Sequence, residues 1–120
     1  MVKQLQNCKS EIKPWGNEII WAEGKDYVGK YLLIHPGKRL SLQYHEEKEE
    51  TIFVMLGELI LWESEDESKF RVLKQNDVFH VHPKQVHRFG AKAGDQPVIL
   101  MEVSSNHLGD VVRIKDDYER

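Results

Sequence analysis

Four residues in two short segments have the types and spacing of a metal-binding site. The first segment, residues 37–57, carries Gln43, His45 and Glu50, and the second, residues 76–89, carries His87. On a strand through residues 40–45, alternate side chains share a face, so Arg39, Ser41, Gln43 and His45 point the same way. A turn at residues 46–49 then brings the next strand alongside, and Glu50 at its start faces the same pocket. The second segment supplies the fourth donor, His87. Imidazole, carboxylate and amide oxygen together suit zinc, manganese, iron(II), cobalt or nickel, and the lack of a thiolate argues against a structural zinc cluster. Arg39, on the face of Gln43 and His45, would stand at the pocket mouth, where a guanidinium fork can hold phosphate. His35, His80, His82 and His107 are expected to be ordinary polar residues, and none is read as a ligand.

The elements that must hold these residues are short. Runs rich in β-branched, aromatic and apolar residues occur at 18–22, 31–35, 40–45, 51–56, 59–63, 70–73, 78–81, 87–89 and 98–103, each the length of a strand. Turn residues punctuate them at 14–16, 36–37, 57–58, 75–77, 83–85 and 94–97, the rhythm of an all-β sandwich or barrel. The acidic stretch 63–69 reads as a solvated hairpin loop. The charged tail, residues 110–120, is left as either a short capping helix or an ordered extension. Trp15, Trp21 and Trp62 are expected to fill the core.

A chain of 120 residues suits one domain, here drawn as an N-terminal extension over residues 1–10 and the domain proper over 11–120. A net charge of -3 gives no reason to expect nucleic acid as a partner. Cys8 is the sole cysteine, so no internal disulfide is possible and a cytoplasmic setting is expected. Neither a signal-peptide run nor a membrane span is legible.

The two segments resemble the paired motifs of the cupin superfamily. Gly37, His45, Glu50 and Gly57 stand in the register of the first motif, with Gln43 in place of its first histidine. Glu49 also satisfies the spacing from His45, but only Glu50 keeps the distance to Gly57. The second motif is looser: Asn76, His82, Lys84 and Ala91 replace its other signature residues, and His87 is retained. The sequences GKRLSLQ, KPWG at 13–16 and the closing HLGDVVRIKDDYER further resemble the C-terminal cupin domain of type II phosphomannose isomerases. Tyr118 and Arg120 match that tail, with Glu119 where the pattern has glycine. The guanylyltransferase domain to which such domains are often joined has no counterpart in these residues, and no nucleotidyltransferase activity is expected of them.

The resemblance implies a double-stranded β-helix, or jelly-roll barrel, that holds one divalent ion through Gln43, His45, Glu50 and His87, with zinc placed before manganese, iron, cobalt or nickel. It implies a metal-dependent aldose-ketose isomerase acting on a sugar phosphate, in the simplest case mannose 6-phosphate, with Arg39 as a substrate ligand. The catalytic base is open among His80, Lys84, Arg88 and Glu102. Two alternatives come from other classes: a non-catalytic cupin that binds a sugar or metabolite, and a small iron(II) dioxygenase. A homodimer is expected, because cupins pair sheets and the edges and outward faces here are apolar.

Overall fold

The computed structural model describes residues 1–118; the motif positions Glu119 and Arg120 lie outside the described residues. Eleven strands follow a single turn of 3-10 helix at Leu5–Asn7: β1 (Lys9–Lys13), β2 (Gly16–Glu23), β3 (Val28–Ile34), β4 (Leu42–Tyr44), β5 (Glu50–Leu56), β6 (Leu59–Trp62), β7 (Arg71–Leu73), β8 (Val78–Val81), β9 (Arg88–Ala91), β10 (Val98–Ser104) and β11 (Val112–Lys115). The nine expected strands are present with bounds moved by a few residues. Two were not foreseen: β1, too polar to show alternation, and β11, which places a strand at Val112–Lys115 within the charged tail. The boundary drawn between residues 10 and 11 falls inside β1.

One sheet has the antiparallel order β1-β2-β3-β10-β5-β8. Opposite it, β7-β6-β9 and β11-β4 join into one layer through the bridges Arg39 to Gly90 and Gln43 to His87. The two layers face each other and close the barrel around a core of Trp15, Leu32, Ile34, Ile52, Val54, Leu61 and Leu100, among others.

The strands of the larger sheet decide where chemistry can occur. Inward positions alternate with outward ones, and the inward set changes character along the barrel. At one end β3 contributes Leu32 and Ile34, β5 contributes Ile52 and Val54, and β10 contributes Val98 and Leu100, all buried. At the other end the same faces carry Lys30, Glu50, Glu102 and Ser104, also buried. Each fully buried Val, Leu or Ile contributes roughly 1.5–3 kcal/mol, so the apolar end supplies the stability that lets the polar end exist. Gly57 closes the apolar end: its φ is +84°, and a Cβ there would stand 2.4 Å from the Pro97 carbonyl oxygen.

The outward face of the large sheet is apolar as well. Phe53, Met55, Val78 and Val103 are exposed, and Trp21, expected in the core, lies on this face over Gly29 with 43% of its surface accessible. Trp15 is in the core as expected, whereas Trp62 is half-buried beneath the Arg39 guanidinium, 5.4 Å from its ring centroid. Among the described residues no helix is long and apolar enough to cross a membrane.

Candidate metal centre and cavity

The polar end of the barrel opens into a cavity of about 300 Å³, at the small end of the range for small-molecule sites. Its walls include Trp15, Leu40 and Phe89, and its polar lining includes Gln43, His45, Lys48, Glu50 and Glu102. His87 is buried beside His45, behind this lining, with ring centroids 5.1 Å apart.

Backbone pairing assembles the donors. Gln43 and His87 are bridge partners, each N–H donating to the other's carbonyl at 3.0 and 2.9 Å. His45 follows directly on β4, and the turn behind it is held by Asp110, whose carboxylate accepts the N–H groups of Glu46, Glu47 and Lys48 at 3.1, 2.8 and 3.0 Å. Those hydrogen bonds, from Glu47 first, hold Asp110 below the ordinary carboxylate range. Glu50 then enters β5 pointing inward, while Glu49 points out. The structure thus separates the two glutamates that compete for the motif position: the inward one is Glu50.

The two histidines have the same tautomer for the same reason. Nδ1 of His45 lies 2.5 Å from the Asp110 carbonyl oxygen, and Nδ1 of His87 lies 2.9 Å from that of Gln85. A carbonyl can only accept, so each Nδ1 carries the hydrogen and each Nε2 is left with a lone pair. Both Nε2 atoms are buried without a hydrogen-bond partner among the described residues. They converge on Oε1 of Glu50, at 3.2 Å from His87 and 3.8 Å from His45. Two lone pairs and a carboxylate oxygen facing one another in a buried site need a cation between them, a proton or a metal ion. Each imidazole is oriented through its other nitrogen, as metal-binding histidines are. The donor set fits a borderline divalent ion, with Gln43 on the cavity wall as the neutral fourth donor.

Lys48 completes the electrostatics. Its ammonium lies 3.1 Å from Oε2 of Glu50 and 3.1 Å from Oε2 of Glu102. Burial would push Glu50 up, but the facing His45 and His87 and the Lys48 charge outweigh it and hold Glu50 well below the usual range. Burial pulls Lys48 down, yet the two carboxylates more than offset this and raise it. Glu102 goes the other way: burial and the neighbouring Glu50 push it up to about 7 against the pull of Lys48 and Lys30. Lys48 is therefore shared between two buried carboxylates, and Glu102 is the one that can hold a proton near neutrality.

Arg39 is not brought to this cavity, contrary to the alternation expected through Arg39, Ser41, Gln43 and His45. Arg39 bridges Gly90 and Gln43 bridges His87, so four steps on one strand face three on the other. The extra residue breaks the alternation, and Leu40, not Arg39, lines the cavity with Gln43. The Arg39 guanidinium instead forks onto Asp117 at 2.6 and 2.9 Å and reaches Glu67 at 3.1 Å, tying the tail to the β6–β7 hairpin. Arg113 of β11 does line the cavity; it pairs with Gln43 in register and, unlike Lys13, Lys30 and Lys48, has no ion pair among the described residues. Of the four residues considered as base, only Glu102 lines the cavity. His80 and Lys84 are exposed on the outside, and Arg88 is buried against the Leu40 carbonyl and Asp117.

The comparisons with known proteins bear on this arrangement. The family model described as mannose-6-phosphate isomerase C-terminal matches residues 2–116. The chain belongs to that family. It is 32% identical over 120 residues to alginate biosynthesis protein AlgA from Pseudomonas aeruginosa, covering 98% of this chain and 24% of that protein. It is 28% identical over 109 residues to a mannose-1-phosphate guanylyltransferase from Sinorhizobium fredii, covering 88% of this chain and 20% of the other. The chain thus spans about a quarter of the length of these curated relatives. The fold has a solved counterpart in an RmlC-like cupin from Shewanella frigidimarina, with a TM-score of 0.73 at 16% identity, covering 90% of this chain and 92% of that one. The all-β cupin barrel expected from the sequence is the fold observed.

Gln43 offers a direct check on which side chains face the ion. Its Oε1 accepts the Ser41 hydroxyl at 2.6 Å, which fixes the amide with its oxygen committed on one lone pair. Gln43→His should keep or tighten metal binding, because imidazole is the stronger donor, and Gln43→Ala should weaken it. Equal loss of metal in both variants, read by equilibrium dialysis, would show that this side chain does not reach the ion.

Proposed function

We propose that this domain is a metal-dependent sugar-phosphate isomerase, in the simplest case interconverting mannose 6-phosphate and fructose 6-phosphate. The observation that carries the reading is the convergence of His45, Glu50 and His87 beside a polar cavity whose wall holds Glu102. Membership of the mannose-6-phosphate isomerase C-terminal family supports the choice of chemistry.

A bound divalent ion would supply Lewis-acid polarisation of the sugar oxygens at C1 and C2. Gln43, His45, Glu50 and His87 would hold it. Glu102 would move the proton between C2 and C1, since isomerisation through an enediolate needs one base that takes the proton from one carbon and returns it to the next. Lys48 keeps Glu50 ionised and in place. Arg113 replaces Arg39 as the anchor for the phosphate: a guanidinium at the cavity wall, without an ion pair among the described residues, holds the far end of the sugar, and that remote binding positions the reacting carbons. Trp15 and Phe89 present apolar surface to the sugar ring.

Turnover of mannose 6-phosphate by the zinc- or manganese-loaded chain, run in deuterated water, tests the reading. The expected result is fructose 6-phosphate with deuterium on the transferred carbon, and much slower turnover of free mannose. Absence of turnover with this and other hexose and pentose phosphates would leave the domain as a metal-binding cupin that binds a sugar without transforming it.

The outward face of the large sheet carries the second part of the reading, a homodimer. Trp21, Phe53, Met55, Val78 and Val103 form an apolar surface on one sheet, and stable dimers bury about 1,200–2,000 Å² in all. Sedimentation equilibrium should give twice the 14.1 kDa chain mass. Replacing Phe53 and Val103 together by Glu should return it to one chain, and a monomeric parent protein would end the dimer proposal.

A further inference from the structure

Outside the barrel, on the edge of the large sheet, Glu49, His80 and His82 bring three ligand atoms within 4.8 Å of one another. We infer that these residues form a second divalent-metal site, separate from the cavity and clipping the edge strand β8 to the start of β5. The two histidines are not the isolated polar residues that the sequence led us to expect.

Each ligand is placed by the backbone. Residues two apart on a strand share a face, so His80 at the end of β8 and His82 just beyond it both point outward, with rings 4.4 Å apart and nearly edge-on. His82 is fixed by the turn that follows, where its N–H donates to Gln85 Oε1 at 2.9 Å and Lys84 takes a φ of 67°. Glu49 is pinned from the other side by Ser105: its N–H donates to the Ser105 hydroxyl at 3.1 Å, and its carbonyl accepts the Ser105 N–H at 3.0 Å. Little backbone ordering remains to be done when an ion binds.

The hydrogen bonds of His80 supply the chemical argument. Its Nε2 lies 2.7 Å from Oε2 of Glu49 and its Nδ1 lies 2.8 Å from the Thr51 hydroxyl. In one tautomer Nε2–H donates to Glu49 and the Thr51 hydroxyl donates to Nδ1, which closes the cluster without metal. In the other, Nδ1–H donates to the Thr51 oxygen and Nε2 presents a lone pair toward Glu49. The second tautomer is the ligating one, and Thr51 is the outer hydrogen-bond partner that metal-bound imidazoles use to fix their orientation. Thr51 is the cross-strand partner of His80 in the sheet register, so the partner is built into the fold.

Two imidazoles and a carboxylate, exposed on the single chain and with no thiolate among them, suit zinc, copper(II), nickel or cobalt. Glu49 and Glu50 are neighbours that point to opposite faces, so the outer ion and the buried donors do not share a ligand. Because β8 is an edge of its sheet and among the described residues pairs with β5 alone, an ion bridging the two strands ties down a strand with one backbone partner.

The test is a zinc titration of the metal-stripped full chain, read by equilibrium dialysis and, with cobalt(II), by absorption. His80→Ala/His82→Ala should lose about one equivalent of metal per chain relative to the parent. Thr51→Val should keep that equivalent but bind it about tenfold to a hundredfold more weakly. His87→Ala, if it folds, should retain the outer equivalent; the comparison of the parent with the double variant decides the matter without it. Equal zinc stoichiometry in the parent and the double variant overturns the site, whatever happens in the cavity or in the isomerase assay.

Discussion

His87→Ala is expected to lose the buried metal equivalent, and His45→Ala to behave alike. His87 is 1% exposed and one of only two imidazoles in the buried site, so its removal leaves one imidazole, Glu50 and a neutral amide to hold a borderline ion against water. Structural zinc sites hold their ion with apparent free energies of about 10–16 kcal/mol shared over four ligands, so loss of a strong donor should weaken binding by several orders of magnitude. The same reasoning fixes the direction of a stability effect. A ligand that binds only the folded chain stabilises it in proportion to the logarithm of its concentration over its Kd, so the cavity's metal should raise the unfolding temperature of the parent more than that of the variant. His87→Gln is a useful partner to the alanine change, since it fills much of the same volume while supplying a weak donor. Full occupancy of the buried site in His87→Ala, read by metal analysis with His80 and His82 replaced so that the outer site does not contribute, would remove His87 from the ligand set.

Much of this site was legible because strands alternate with a period of two. Gln43, His45 and Glu50 declare themselves by lying at alternate positions and at a strand start, and His87 by its place in the second motif. Other parts were hidden for identifiable reasons. Lys48 sits in the run EEKEE, where a lysine reads as one solvated charge among several; only the turn held by Asp110 swings it inward. Asp110 and Arg113 arrive from a tail whose pairing with β4 is long-range and leaves no local pattern. Arg39 was misplaced because a single extra residue between two bridges reverses the alternation, and a one-residue slip carries a side chain to the opposite face. Glu102 carried a usable signal: in the run Val98–Ser104 it occupies the same phase as Val98 and Leu100, and a carboxylate in an apolar phase marks a buried polar site. Lys30, in phase with Leu32 and Ile34 on β3, carries the same signal.

Glu102→Gln should abolish most isomerase turnover while leaving metal binding intact. The side chain lines the cavity, stands outside the proposed donor set of Gln43, His45, Glu50 and His87, and lies 3.1 Å from the Lys48 ammonium at Oε2. General acid-base groups contribute about 10²–10⁴-fold to rate, so the loss should fall in that range. Burial raises this carboxyl from 4.5 to about 7, which sets two pH dependences of opposite sign. In the proposed isomerisation the base acts in its ionised form, so kcat/KM for the parent should rise as pH increases through about 7. Stability runs the other way: a carboxyl whose pKa is raised in the fold contributes fully below its unfolded value near 4.5, and that contribution is lost as pH rises through about 7. Gln, which cannot ionise, removes both dependences, so the variant should gain stability relative to the parent on going from pH 5 to pH 8 while remaining inactive throughout. A merely structural role for Glu102 would give a variant that keeps the parent's turnover and its pH profile wherever it is folded. Solvent deuterium separates the last alternative, because a base that exchanges with water labels the product carbon, whereas direct hydride transfer between C2 and C1 would give unlabelled fructose 6-phosphate and would take Glu102 out of the proton path.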